Sequence, residues 1–331
     1  MKMKRTTLMI VTLLAVLFVL PRVSAFAEGK KRVLGDHMYA VSFVNDKEGW
    51  AVGARGSIQH TLDGGITWEK QQAKTNVLLL SVSFCNAQVG WVVGKSGVIL
   101  HTTDGGKTWS EQKAPQPKSL FAVRALTPEK CVAAGDWGAI FYTGDGGKTW
   151  EDKTSPKDFI IYSMAFQGEN EGWLAGEFGS ILYTKDGGKT WTQQPTGTDV
   201  TLFGIAFTSP KRGVAVGLSG ILLRTEDGGK SWKPGVLAMT DEKAEVQALY
   251  DVRLRDNYGI AVGDRGTIIT TADGGKNWQL LPVPLDVKLA WFSGVEMLGP
   301  AKALFVGTRS MVVITEGTSI QRQGFMPKLG E

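Results

Sequence analysis

The chain has 331 residues, 43% of them hydrophobic and 21% charged, which is enough apolar sequence for one large folded domain. Its 37 basic and 32 acidic residues give a net charge of +5, but four basic residues and no acidic ones lie before residue 28. The remainder carries 33 basic against 32 acidic residues, a net charge of +1 that argues against a nucleic-acid partner.

Residues 1–27 have the pattern of an export signal. A basic start with Lys2, Lys4 and Arg5 precedes the apolar run Leu8–Leu20, and small residues at Ala25 and Ala27 fit a cleavage site. No cysteine lies near that site, which argues against a lipid-anchored form. An uncleaved anchor is the alternative. The signal predicts an exported protein that is free of the membrane after cleavage.

The rest of the chain repeats one eight-residue stretch, T-x-D-G-G-K-T-W, six times. The copies occupy Thr61–Trp68, Thr102–Trp109, Thr143–Trp150, Thr184–Trp191, Thr225–Trp232 and Thr271–Trp278. Four successive steps between their aspartates are 41 residues and the fifth is 46. A period near 40 residues indicates one supersecondary unit repeated along the chain.

Each repeat contains four short β-rich runs bounded by glycine. In the second repeat we expect strand A near 79–84, strand B near 90–94, strand C near 97–102 and strand D near 108–113, with the Asp stretch between C and D. A seventh copy at 292–320 has lost its Asp and Trp. The sequence therefore predicts an all-β fold, a seven-bladed β-propeller of four-stranded antiparallel blades over residues 28–331. Residues 28–36 are either a lead-in or an outer strand that closes blade seven.

The repeated stretch resembles the bacterial neuraminidase repeat, or Asp-box, and its residue types suit a structural role. The carboxylate can accept backbone N–H groups of its own turn, the glycines permit positive φ, and the Trp can pack between blades. A calcium or catalytic array is the other interpretation. The Asp-box residues are Asp63, Asp104, Asp145, Asp186, Asp227 and Asp273 with Trp68, Trp109, Trp150, Trp191, Trp232 and Trp278.

No motif indicates a metal, a cofactor or a catalytic centre. The histidines His37, His60 and His101 do not share a ligand spacing. Cys85 and Cys131 fall at the same end of adjacent blades, where a disulfide and two free thiols are both open. We expect no metal and no cofactor.

The B–C hairpin tips differ most between repeats, and they share one face of the disc. Basic tips are contiguous on blades six, seven, one and two, and apolar tips on blades three, four and five. In ring order these residues are Arg265, Arg309, Arg55 and Lys95, then Trp137, Phe178 and Leu218. Because aromatic residues and arginine dominate interfaces, this pattern predicts a protein-binding face. Free variation of hairpin tips is the alternative.

Two further arginines stand on strand A, which lines the central channel. Arg124 in blade three and Arg253 in blade six replace the small residues of other blades, and Glu296 of blade seven is a candidate counter-charge. They add positive charge for a partner or form local ion pairs. The extra residues between Trp232 and Val252 are either part of the binding face or a tolerated loop.

Taken together, the propeller repeat and the export signal resemble the photosystem II stability and assembly factors of cyanobacteria and chloroplasts, over residues 36–320. The resemblance implies a non-enzymatic assembly factor that binds newly made membrane protein on the exported side through an Arg-rich face. Arg55, Arg265 and Arg309 are the candidates for that face. The implied partner is a photosystem or transporter component, the implied location the periplasm or, in a photosynthetic host, the thylakoid lumen. We expect a monomer.

Two other function classes remain open from the sequence. A sialidase-like glycoside hydrolase needs an arginine cluster, a tyrosine nucleophile with a glutamate and an aspartic acid, but no F-R-I-P segment is present. A glycan-binding lectin could use Trp137 and Phe178 as stacking platforms.

Overall fold

The computed structural model describes residues 37–238, 246, 248–283, 287–299, 302–308, 311–315 and 319–323. These residues all belong to one compact unit, Arg32–Glu331. The predicted signal, the segment 28–36, Arg309 and residues 239–245 and 247 of the insertion after Trp232 lie outside the described residues.

Seven sheets follow one another along the chain, each with four antiparallel strands in the order A-B-C-D. The A strands are β1 (Met38–Phe43), β5 (Leu79–Phe84), β9 (Leu120–Ala125), β13 (Ile161–Gln167), β17 (Leu202–Phe207), β22 (Leu249–Arg255) and β26 (Phe292–Gly299). The B strands are β2 (Gly49–Gly53), β6 (Gly90–Gly94), β10 (Cys131–Gly135), β14 (Glu171–Gly176), β18 (Gly213–Gly217), β23 (Tyr258–Gly263) and β27 (Lys302–Gly307).

The two outer positions of each blade are shorter. The C strands are β3 (Ile58–Thr61), β7 (Ile99–Thr102), β11 (Ile140–Thr143), β15 (Ile181–Thr184), β19 (Leu222–Thr225), β24 (Ile268–Thr271) and β28 (Met311–Thr315). The D strands are β4 (Glu69–Gln71), β8 (Ser110–Gln112), β12 (Glu151–Asp152), β16 (Thr192–Gln194), β20 (Lys233–Pro234), β25 (Asn277–Leu280) and β29 (Ser319–Gln323). The B–C tips contain short 3₁₀ turns at Ala54–Gly56, Lys95–Gly97, Asp136–Gly138 and Asp264–Gly266.

The A strands form the inner ring, since each contacts the A strand of the next blade and β26 contacts β1. The predicted seven-bladed propeller is therefore confirmed. Blade seven takes its outer strand from β29, at the end of the chain.

The core lies between blades. Residues of the B strands are buried along their length because both faces of each sheet are covered by a neighbouring blade, so they form continuous apolar runs. Trp50, Trp91 and Trp173 are fully buried. The glycine before each of these tryptophans lies under a strand A phenylalanine; a Cβ on Gly90 would sit 2.5 Å from Cγ of Phe84.

One element departs from the repeat. Strand β21 (Val236–Ala238), from the connection after blade five, pairs in parallel with β25 and becomes a fifth strand of blade six. It joins blades five and six at their outer edge. No helix within the described ranges is long and apolar enough to cross a membrane.

Candidate functional site

Each Asp-box turn is closed by its own hydrogen bonds. In blade two, the hydroxyl of Thr102 donates to Oδ1 of Asp104 at 2.8 Å and accepts the N–H of Gly106 at 2.8 Å. Asp104 also accepts the N–H of Thr108 at 2.9 Å and its hydroxyl at 2.7 Å. Gly105 and Gly106 have φ of 73° and 82°, a conformation in which a Cβ is strained. The same bonds recur at the other five aspartates.

These bonds hold the carboxylates ionised. The pKa of Asp145 is lowered to about 2, first by the hydroxyl of Thr149 and then by its N–H. Ser231 acts in the same way on Asp227, whose pKa is also about 2. Among the described residues, no group of three His, Cys, Asp or Glu side chains could hold a metal ion. The turns use their carboxylates as hydrogen-bond acceptors.

Each Asp-box tryptophan packs in an apolar cluster shared with the preceding blade. Trp109, for example, lies with Trp50 and Val52 of blade one, and Trp68 lies with Leu304 of blade seven. The other four follow the same arrangement.

A glutamine three residues after the Asp-box Trp bridges consecutive blades, a feature that our sequence interpretation missed. Nε2 of Gln112 donates to the carbonyl of Gly146 in the next blade at 2.8 Å. Its Oε1 accepts the indole N–H groups of Trp91 at 3.2 Å and Trp150 at 3.1 Å. We call this arrangement the Gln latch. Gln71 and Gln194 make the same bond to Gly105 and Gly228.

Where this glutamine is missing, the next tryptophan uses its own turn. Blades three and five have Lys153 and Gly235 at this position, and Trp191 and Trp278 of the following blades donate their indole N–H to a glycine carbonyl of their own turn. Trp68 makes the same bond to the carbonyl of Gly65. The signal was readable in the sequence as a Gln at a fixed offset from the Trp.

The predicted tip residues lie on one face, and several are held in a left-handed backbone conformation. Positive φ occurs at the second tip residue of six blades: Arg55, Ser96, Trp137, Phe178, Ser219 and Arg265. Left-handed φ costs a non-glycine residue about 1–2 kcal/mol. Lys95 and Leu218 occupy the position before it.

The apolar tips are open to solvent. Trp137 is 64% exposed, Phe178 67% and Leu218 46%. Arg55, Lys95 and Arg265 are also exposed. The structure thus brings six of the seven predicted tip residues to one face, and Arg309 lies outside the described residues.

An aromatic collar, which we define as Phe121, Tyr162, Phe203 and Tyr250, lines the channel mouth on the same face along blades three to six. Each residue is near the start of strand A, and the start of strand A pairs with the strand B end that leads into the tip. The rings contact one another at centroid distances of 5.5, 5.0 and 5.5 Å. Nζ of Lys95 lies 5.0 Å from the centre of the Phe121 ring. The collar therefore continues the tip face to the channel, and we had not predicted it.

Arg253 lies in the channel and forms local ion pairs, one of the two roles that the sequence suggested for it. Its guanidinium is 2.6 Å from Oδ1 of Asp251 and 3.6 Å from Oε2 of Glu296. Enclosure raises the pKa of both carboxylates, an effect that the positive charge of Arg253 opposes. With both carboxylates engaged, Arg253 does not offer a free charge to a partner.

Asp251 also joins two blades, because its Oδ2 accepts the N–H of Val295 at 3.0 Å. Serines do the same elsewhere: Ser81 and Ser83 accept the N–H groups of Val123 and Ala125 at 3.2 and 3.1 Å. We call these bonds channel staples. Ser42 and Ser163 staple Phe84 and Ile205 in the same way.

The cysteines and histidines have packing roles. Cys85 and Cys131 are both free, and burial raises the pKa of the Cys131 thiol. His60 stacks on Trp50 and His101 on Trp91, with centroid distances of 4.6 and 4.4 Å. The sequence left open a disulfide or two free thiols, and in the structure both thiols are free.

Comparison with known proteins identifies the family. The family model described as Photosynthesis system II assembly factor YCF48 matches residues 31–157 and 194–323, and a BNR/Asp-box repeat model matches residues 182–193. The chain belongs to the YCF48 family. No curated protein matches it.

Solved structures of the YCF48 family have the same fold. The chain is similar to YCF48 from Cyanidioschyzon merolae, with 24% identity, a TM-score of 0.69 and coverage of 86% of this chain and 97% of that one. A YCF48 bound to a D1 peptide gives 23% identity, a TM-score of 0.69 and coverage of 86% and 94%. A xyloglucanase from Xanthomonas campestris is 12% identical with a TM-score of 0.71, covering 88% of this chain and 54% of the enzyme. That likeness extends to the fold alone.

Proposed function

We propose that this chain is a non-enzymatic assembly factor that binds a segment of a membrane-protein subunit through the face formed by the B–C tips and the aromatic collar. Its family and the D1 peptide bound to a related YCF48 support this class of partner. We further propose that residues 1–27 direct export, that 28–331 are the mature propeller, and that it works as a monomer in the periplasm or a thylakoid lumen.

The observation that carries the proposal is the exposure of large side chains at tips whose backbone is left-handed. Arg55, Trp137, Phe178 and Arg265 have φ between 49° and 59°, where glycine is favoured. Trp137 and Phe178 are mostly exposed, so they contribute little burial to offset that strain. Strained residues that do not stabilise the fold are characteristic of binding sites.

The chemistry of the face suggests what it binds. Aromatic tips on blades three and four lie beside the collar, and basic tips occupy blades six, one and two. Two of the three acidic residues at these tips bond locally: Glu177 accepts the N–H of Ile160 at 2.8 Å and Asp264 that of Arg265 at 2.9 Å. A segment with apolar side chains next to acidic ones complements this face.

The test is crosslinking in cells followed by affinity capture and mass spectrometry. We expect the double variant Trp137→Gly/Phe178→Gly to lose the captured membrane protein. The matched control is Ser96→Gly/Ser219→Gly, which makes the same backbone change and leaves the aromatic and basic tips in place. Relief of about 1–2 kcal/mol of strain offsets the ~0.5–1 kcal/mol entropic cost of glycine, so neither variant should lower Tm.

The basic half is tested by Arg55→Glu/Arg265→Glu, with Arg309→Glu added as a third change. Charge reversal should abolish capture, and circular dichroism should show that the variant keeps the native fold. Capture that survives both the aromatic and the basic variants would contradict the proposed face, and capture of no membrane protein by the native chain would contradict the function.

A further inference from the structure

We propose that the central channel holds an oxyanion, a carboxylate or a phosphate, at Arg124. This site is distinct from the tip face and does not depend on the function proposed above. Arg124 lies near the end of strand A, three residues beyond Phe121 of the collar, and therefore about 10 Å deeper along the strand.

Arg124 is a charged group in the channel that forms no salt bridge among the described residues. Its side chain is exposed to the channel, and no carboxylate of the described part of the chain lies within 4.0 Å of it. The two channel carboxylates, Asp251 and Glu296, are taken by Arg253. Enclosure and then the positive charge of Arg253 lower the pKa of Arg124, an effect that the negative charge of Glu296 opposes, and an arginine stays protonated in proteins.

Hydroxyl donors continue the site into the neighbouring blades. Ser42, Ser83 and Arg124 are the corresponding strand A residues of blades one, two and three, opposite Trp50, Trp91 and Val132. Each serine oxygen accepts a backbone N–H, from Phe84 or Ala125. Neither hydroxyl donates to an acceptor within the described ranges, so the fold leaves both protons unused; Ser42 is partly exposed, whereas Ser83 is only 5% exposed.

Blades one, two and three thus present hydrogen-bond donors to the channel, whereas the channel carboxylates lie on blades six and seven. Blades four and five have Ala165 and Ala206 at the same position. The cavity that these strands enclose has a volume of about 320 Å³, roughly ten times the ~30 Å³ of a water molecule, and accommodates a hydrated acetate or phosphate. Guanidinium and hydroxyl groups are the donors that oxyanions bind.

The test is calorimetric titration of the purified protein with acetate, inorganic phosphate and N-acetyldiglycine at constant ionic strength. The neutral N-acetyldiglycinamide is the control ligand. Arg124→Ala should weaken saturable oxyanion binding at least about tenfold, since one charge-assisted contact is lost. That variant is expected to fold because two blades already have alanine there. Arg255→Ala removes an equal charge from an exposed position and should bind as the native protein does.

The results separate the sources of the ligand. Tighter binding of phosphate than of acetate indicates a phosphate ligand. Binding of N-acetyldiglycine but not of its amide indicates a peptide carboxylate. Absence of saturable binding for all three anions, equal binding by Arg124→Ala, or an equal loss in Arg255→Ala would overturn the proposal. Capture by the tip face is expected to be unchanged in Arg124→Ala, so the two proposals can fail separately.

Discussion

At the scale of single residues, the Asp-box turn is an autonomous unit. Its Thr, Asp and following Thr bond only to groups within four positions of themselves, so the turn can form before the blades meet. Both carboxylate oxygens of Asp145 are occupied by Thr143 and Thr149. A carboxylate is needed because it accepts several bonds and donates none.

These turns predict acid sensitivity. The folded pKa of Asp145 and Asp227 is about 2, below the ordinary value of 3.8. A depressed pKa gives stability that is complete above about pH 4 and is lost as the pH falls towards about 2. We therefore expect Tm to fall over this window, measured by circular dichroism. Asp145→Asn should lower Tm at neutral pH and weaken the acid dependence, while Asp158→Asn, at an exposed site outside the turns, should do neither.

At the scale of elements, blades are joined by the Gln latch where their D strand supplies the glutamine. One side chain satisfies two indole N–H groups and one carbonyl at the junction of blades two and three. The corresponding position in blade three is Lys153, and there the next Trp turns to its own glycine carbonyl. At the junction of blades four and five Gln194 makes only the bond to Gly228, and its Oε1 and the indole N–H of Trp232 stay without a partner among the described residues.

We expect Gln112→Ala to destabilise the protein by about 2–4 kcal/mol, because it leaves two donors and one acceptor unpaired. Lys153→Ala is the matched control at the same position of the next blade. It removes only an exposed ion pair with Glu151, worth about 0–1 kcal/mol. Urea unfolding measures both changes. Equal losses of stability in the two variants would show that the latch has no special role.

At the scale of the whole molecule, the junctions between neighbouring blades differ in the contacts that join them. Channel staples join blades one to two, two to three, four to five and six to seven. The ring closes where the hydroxyl of Ser293 donates to the carbonyl of Tyr39 at 3.0 Å. Blades five and six are bridged by β21. Among the described residues, the junction of blades three and four has neither a staple nor a Gln latch.

This junction should open first. Blade three has Ala122 at the strand A position where blades two and four have the stapling residues Ser81 and Ser163. Because alanine has no hydroxyl, the N–H of Met164 in blade four has no side-chain partner from blade three. Native-state hydrogen exchange should find Met164 and Phe166 less protected than Val123 and Ala125. Ala122→Ser should supply the missing bond, raise protection at Met164 and add about 0.5–1.5 kcal/mol. Earlier opening between blades one and two would contradict this view.

Much of the molecule follows from the sequence by itself. The repeat period, the glycine-bounded strands and the Asp stretch determined the number of blades and their strand order. In the second repeat the expected strands A and B, 79–84 and 90–94, coincide with Leu79–Phe84 and Gly90–Gly94. Hairpins and turns depend on residues within one repeat, so their signals lie close together in the chain.

The tertiary structure alone decided how the repeats meet. Lys95 reaches the ring of Phe121, Arg253 pairs with Glu296, and Ser293 contacts Tyr39 across 254 positions. The collar was visible as the aromatic residue near the start of strand A in blades three to six, but only the closed ring makes these residues neighbours. Likewise, Arg124 and Arg253 look alike in the sequence. Their difference depends on which blade supplies the carboxylates, because contacts between blades are set by packing across the ring rather than by the period of the repeat.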